Sequence, residues 1–158
     1  MSSTDEFALL AENAAEAGLE WSGPPPVRRE SVAVAADRSV SALVWGSGPP
    51  QAVLLHGGAQ NAHTWDTVAL ALGRPVLAVD LPGHGHSGWR PDHQYSPATM
   101  ASDVAVVLRR LAPEAQMMVV GMSLGGLTAL CLAAEHPDLV ALRLRLLTEL
   151  GVPAGETD

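Results

Sequence analysis

Three short apolar runs, each ending in a glycine-rich loop and each followed by a helical stretch, constrain the fold of this chain more than any other feature. Gln51–Leu55 ends at His56-Gly57-Gly58 and precedes a helical pattern over Ala62–Leu72. Pro75–Val79 ends at Asp80 and a loop of glycines and histidines, after which Pro97 opens a helix to about Leu111 that Pro113 breaks. Met117–Val120 ends at Gly121, and a helix from about Leu124 to Glu135 follows, stopped by Pro137. Strands apolar along their whole length, alternating with helices, predict an α/β fold: a mostly parallel central sheet with helices on both faces. Right-handed crossovers fix most of the topology, and the site of such a sheet lies at the carboxyl ends of its strands.

Upstream, Ser31–Ala36 and Ser39–Trp45 read as two strands joined by Asp37-Arg38, a hairpin. Residues 3–20 read as a helix, with Ser3 and Glu6 at capping-box spacing and Phe7, Leu10, Ala14 and Ala17 at helical spacing. Gly18 and then Gly23-Pro24-Pro25-Pro26 end it, the prolines making a stiff connector. The expected organisation is an N-terminal helix and Pro-rich connector over 1–26, an α/β domain over 27–138, and a divergent tail over 139–158.

Composition limits the partners. The chain has 158 residues, 47% hydrophobic and 16% charged, which excludes a disordered tail and allows one cored domain. Nine basic residues, all arginine, against seventeen acidic ones give a net charge of −8 with no basic run. Such a surface repels phosphates, so neither nucleic acid nor an anionic membrane is an expected partner. No apolar run is long enough to span a bilayer. The single Cys131 has no internal disulfide partner, and residues 1–20 carry five acidic residues and no basic n-region. A cytoplasmic location is expected.

The chemistry concentrates at the three strand ends. Gly121-Met122-Ser123-Leu124-Gly125 matches G-x-S-x-G, a pattern that this composition would produce about 0.1 times per chain. Its place between an apolar strand and a helix is the context of a nucleophile elbow. A strand turning sharply into a helix strains the tip residue and presents its side chain, here Ser123, away from the sheet. Gly121 and Gly125 flank the tip, where a Cβ would clash as strand and helix cross. The helix N-terminus behind Ser123 offers free N–H groups to a developing oxyanion. After the first strand, Gly58 is placed to give one backbone N–H and Leu124, just past the serine, to give the other. His56 reads as a buried histidine that bonds its loop.

Asp80-Leu81-Pro82-Gly83-His84-Gly85-His86-Ser87 reads as architecture, its glycines shaping a turn whose backbone Asp80 and Ser87 bond. His84 and His86 have no third ligand nearby in sequence, so no metal is expected. His63, Trp65, His93 and Tyr95 fall in loops near the mouth and are candidates for lining a pocket.

His56-Gly57-Gly58, Asp80–Ser87 and Gly121–Gly126, in that order and spacing, resemble the first half of an α/β-hydrolase fold protein, over roughly residues 30–138. The resemblance implies Ser123 as nucleophile, N–H donors from Gly58 and Leu124, a small-molecule acyl substrate, transfer of the acyl group to water, and no cofactor. Serine at the tip, where haloalkane dehalogenases and epoxide hydrolases carry Asp, points away from those two chemistries. His56-Gly57-Gly58-Ala59 also departs from the HGGG of many lipases.

The departure that matters lies downstream. A serine hydrolase of this fold orders its triad Ser, then Asp or Glu, then His. After Ser123 the sequence holds one histidine, His136, at the far end of the next helix, about twelve residues and about 18 Å away along its axis. The expected fold is therefore an incomplete α/β-hydrolase lacking cap and last strands, in a truncated chain with weak or no activity. Val140–Leu147 reads both as an alternating strand and as a helix. Alternatives are a relative doing C–C hydrolysis, acyl transfer or cofactor-free haloperoxidation, a non-catalytic ligand- or partner-binding remnant, or complementation by a second chain.

Overall fold

The computed structural model describes residues 5–113 and 115–141. Helix α1 (Leu10–Glu16) precedes a hairpin of β1 (Val27–Ala35) and β2 (Arg38–Trp45). Then come β3 (Ala52–Leu55), α2 (Asp66–Leu72), β4 (Val76–Val79), α3 (Pro97–Leu111), β5 (Met118–Gly121) and α4 (Leu124–Glu135). A 3-10 turn at Ala62–Trp65 leads into α2, and another at Pro137–Leu139 follows α4.

All five strands share one sheet in the order β1-β2-β4-β3-β5. β3 pairs in parallel with both β4 and β5, while β2 runs antiparallel to β1 and to β4. The sheet is thus mixed: parallel where the three loop-bearing strands meet, antiparallel where the hairpin extends it. This order brings the ends of β4, β3 and β5 side by side, so the three unusual loops share one edge of the sheet.

Every residue of β3 and β4 is buried, because helices cover both faces. Val53, Leu55, Leu77 and Val79 pack with Met100, Val104 and Leu108 of α3 and Leu132 of α4. The intervening residues, Leu54, Val76 and Ala78, pack on the opposite face with Leu10 of α1 and Ala69 of α2. Each fully buried leucine contributes about 1.5–3 kcal/mol relative to exposure, which is why these short strands hold. Ser96 caps α3 by accepting from Thr99 N–H at 3.1 Å, with Pro97 next in the first turn.

Three expectations need correction. The helix read over 3–20 is a turn from Glu6 to Leu9 followed by seven residues of α1. Glu6 pairs with Arg29 at 2.7 Å rather than closing a capping box, and Ser3 lies outside the described residues. The third core strand starts and ends one residue later than expected, and it is not buried on both faces. Among the described residues β5 is the last strand of the sheet, and Met118 is 54% exposed. On its outer side the described residues supply one parallel bridge, between Met117 and Val140, with Ala141 N–H donating to Met117 O at 2.9 Å. The rest of the stretch with two readings, from residue 142 on, lies outside the described residues. Among the described residues no helix is long and apolar enough to cross a membrane.

Candidate active site

The tip between β5 and α4 is a sharp turn from strand into helix. Ser123 has φ 50° and ψ −114°, a left-handed conformation that costs a non-glycine residue about 1–3 kcal/mol. Two glycines permit the close crossing at which it occurs. A Cβ on Gly121 would run into the Gly125 carbonyl group and come within 2.7 Å of Gly126 N. A Cβ on Gly125 would strike the carbonyl group of Leu55 and approach His56 O at 2.6 Å. Helix α4 therefore crosses directly over the ends of β5 and β3, and Met122 N–H donates to Leu55 O at 3.1 Å to pin the turn. Ser123 stands at the N-cap position of α4 but its side chain makes no capping bond. The residue is exposed, and among the described residues its hydroxyl has no hydrogen-bond partner.

The loop after β3 lies against this tip. A Cβ on Gly57 would sit 3.6 Å from both Met122 O and Ser123 Cβ. A Cβ on Gly58 would meet nothing within 4 Å, so that residue borders open space. The backbone N–H groups of Gly58 and Leu124 have no acceptor among the described residues.

His56 is fully buried and committed to structure. Leu81 N–H donates to its Nε2 at 2.9 Å, so the proton is on Nδ1, which donates to Gly57 O at 2.7 Å. Burial holds its pKa below the ordinary value of 6.5, with the bond to Gly57 pulling the other way. The ring thus ties the loop after β4 to the loop after β3 as a neutral imidazole.

Asp80 plays the same part on the other side. Its carboxylate accepts from Ala62 N–H at 2.7 Å, His86 N–H at 3.0 Å and the Arg29 guanidinium at 2.7 Å. Ser87 Oγ–H donates to Asp80 O at 2.6 Å while accepting from Ser41 N–H at 2.9 Å. Asp80 and Ser87 hold backbone, as their sequence context suggests.

Of the pocket-lining candidates, His63 and Trp65 belong to the α1–α2 side. His63 Nδ1–H donates to Asp66 at 2.8 Å, its Nε2 lies 3.4 Å from Glu6, and its ring packs against Phe7. Trp65 packs into the core beneath α1. Tyr95 accepts from Arg90 N–H at 2.7 Å through its hydroxyl, and His93 is exposed with φ 53°. Among the described residues no cluster of three or more His, Cys, Asp or Glu could hold a metal. His136 is at the C-terminal end of α4, where Arg109 approaches its Nδ1 at 3.5 Å. Two contributors escape the sequence. Arg29 pairs with a residue 51 positions away, and Gln60 sends Oε1 back to accept from Gly57 N–H at 2.8 Å. No short-range pattern marks either.

A family model described as the alpha/beta hydrolase fold matches residues 53–141. The esterase Rv0045c of Mycobacterium tuberculosis is 60% identical over 137 residues, which cover 86% of this chain and 43% of that protein. A pimeloyl-[acyl-carrier protein] methyl ester esterase of Aeromonas hydrophila is 43% identical over 102 residues, covering 63% of this chain and 38% of its own. A solved structure of the M. tuberculosis esterase superposes with a TM-score of 0.75 at 53% identity, covering 95% of this chain and 51% of that one. The chain spans about two fifths of the length of these curated relatives. On these matches, and with its sheet, elbow and strand-end loops, the chain belongs to the α/β-hydrolase fold family.

Proposed function

We propose that Ser123 is the nucleophile of an esterase-type site, and that the N–H groups of Gly58 and Leu124 receive the carbonyl oxygen of a small-molecule ester. The observation that carries this reading is the strained backbone of Ser123 beside an uncommitted hydroxyl at the N-terminus of α4. Such strain serves to present that side chain, since a capping serine would sit in relaxed extended backbone and bond its helix. In the reaction the serine oxygen bonds to the ester carbonyl carbon, the carbonyl electrons move onto oxygen, and collapse expels the alcohol. Water then attacks the acyl-serine, releasing the acid. Two N–H donors on the oxyanion stabilise the tetrahedral species, each worth about 10²–10³ in rate.

The serine proton is the weak point. Among the described residues no histidine nitrogen bonds the Ser123 hydroxyl. His56 spends both ring nitrogens on Leu81 and Gly57, and His63 faces Asp66 and Glu6. His84 turns Nδ1 to Pro82 O at 3.1 Å, His86 Nδ1 lies 3.9 Å from Asp80, and His136 ends α4, about 18 Å from its start. Without a base the loss is on the order of 10⁶ in kcat, so this 158-residue chain is a weak hydrolase. The test is incubation with a fluorophosphonate probe and peptide mass spectrometry. Slow labelling confined to Ser123 and abolished in Ser123→Ala is expected. An adduct that persists in Ser123→Ala, or none at Ser123, overturns the reading, and labelling at the speed of a complete serine hydrolase overturns the missing base.

One observation favours a partner-binding role alongside. Leu127 and Leu130 of α4 are each more than half exposed, and β5 and α4 line an open cleft of about 190 Å³ that includes Val119 and Leu130. A polypeptide covering this face would account for them.

A further inference from the structure

The loop after β3 makes its turn at a cost. Ala59 has φ 58°, a left-handed conformation that a residue with a Cβ adopts only when its surroundings enforce it. That turn reverses the chain so that the Gln60 side chain reaches back, and its Oε1 accepts from Gly57 N–H at 2.8 Å. One peptide later, Gly57 O accepts from His56 Nδ1–H at 2.7 Å. Two successive peptide planes are therefore held by side chains of the same loop.

The second plane is the one that matters for chemistry. Gly57 C=O and Gly58 N–H belong to a single peptide unit, and no cis peptide occurs among the described residues. In a trans peptide the two groups point in opposite directions. With the carbonyl anchored to His56, Gly58 N–H is turned away from the buried imidazole, on the side where a Cβ at Gly58 would meet no atom. Rotation of this unit is opposed at the preceding plane by Gln60. Gln60 also sits close to the reacting group: the point where a Gly57 Cβ would stand is 2.8 Å from Gln60 Oε1 and 3.6 Å from Ser123 Cβ.

We infer that Gln60 is a positioning residue, whose Oε1 clamps Gly57 N–H across the left-handed turn at Ala59 and so fixes Gly58 N–H toward the space beside Ser123. This rests on the reading of Ser123 as nucleophile for its consequence in rate, while the clamp itself stands on geometry. Gln60→Glu keeps an oxygen in place, and Gln60→Ala removes it. Gln60→Asn leaves a side chain one methylene too short and replaces the alanine variant if that one does not fold.

Two readouts separate the clamp from the nucleophile. The first is amide hydrogen exchange by NMR on the full 158-residue chain. Gly57 N–H is protected in the parent and in Gln60→Glu, and exchanges at least about tenfold faster in Gln60→Ala, as expected for an amide that loses its acceptor. The second is the rate of fluorophosphonate labelling at Ser123, which falls by about tenfold in Gln60→Ala and is restored in Gln60→Glu. If Gly57 exchanges equally fast in the parent and Gln60→Ala, the clamp does not exist and the inference is overturned. If Gly57 is deprotected while the labelling rate stays constant, the clamp holds the loop and does not serve the serine, which also overturns it. If the parent never labels at Ser123, the nucleophile reading fails, and the positioning role of Gln60 fails with it even where exchange shows the clamp.

Discussion

Arg29 and Asp80, 51 residues apart, meet at 2.7 Å, with the carboxylate 1% exposed and the guanidinium 16% exposed. Arg29 also reaches Ser41 Oγ at 2.7 Å and Glu6 at 2.7 Å, so one side chain on β1 joins the N-terminal segment, β2 and the loop after β4. Removing one partner of such a pair leaves a buried charge without compensation, at a cost of roughly 3–5 kcal/mol. Arg29→Met is accordingly expected to lower unfolding stability by about 3 kcal/mol, measured by urea titration. A loss below about 1 kcal/mol, typical of exposed pairs, refutes this ranking.

The two elbow glycines differ from their neighbour. Gly125→Ala drives a methyl into the Leu55 carbonyl, and Gly121→Ala drives one into Gly125. Both are backbone groups that cannot swing aside, so each variant loses at least about 3 kcal/mol. Gly126→Ala would come only to 3.3 Å of Gly121 O, and a loss under about 1 kcal/mol is expected. Thermal unfolding of the three variants checks the order.

Ser123 stores strain, and glycine is free of it. Ser123→Gly is expected to raise stability by about 1 kcal/mol while abolishing phosphonate labelling, whereas Ser123→Ala abolishes labelling at unchanged stability. A glycine variant less stable than the alanine one contradicts the strain argument.

Two histidines make the pH dependence of stability run in opposite directions. The bond to Asp66 raises the His63 pKa above 6.5 despite burial, with Glu6 adding to the rise and Arg29 opposing it. Its contribution is fully present below the unfolded-state pKa and is lost as pH rises through the folded value. His56 is depressed by burial, so its contribution is present above 6.5 and is lost as pH falls through its folded pKa. The stability gap between the parent and His63→Gln is therefore larger at pH 5.5 than at pH 8.5, by up to about 1 kcal/mol for this partly screened pair. A gap that widens toward alkaline pH reverses the assignment.

Legibility in the sequence follows the range of the interaction. α3 and α4 run over the residues expected because their limits are local: Ser96-Pro97 at one start, Pro113 and Pro137 beyond the two ends. The close backbone crossing at Gly121 and Gly125 was readable for the same reason, as both lie two residues from Ser123. The hairpin was placed but not its antiparallel contact with β4, because nothing in Ala42–Trp45 says which strand it joins. Glu6 has the spacing of a helix cap, and only the fold shows that it lies ahead of the helix and pairs with Arg29. The Gln60 clamp depends on a left-handed Ala59, which composition argues against, so local rules misdirect there. Exposure of β5 could not be read from its residues, because burial belongs to whatever neighbours the strand has.

The strained tip between β5 and α4 sits where glycines press against backbone, with no bond from the serine side chain itself. Its geometry is consequently indifferent to what position 123 carries. A thiol or a carboxylate there would be delivered to the same point, with the same two amides nearby. The fold thus fixes an address at position 123 that does not depend on the bonds of the side chain standing there.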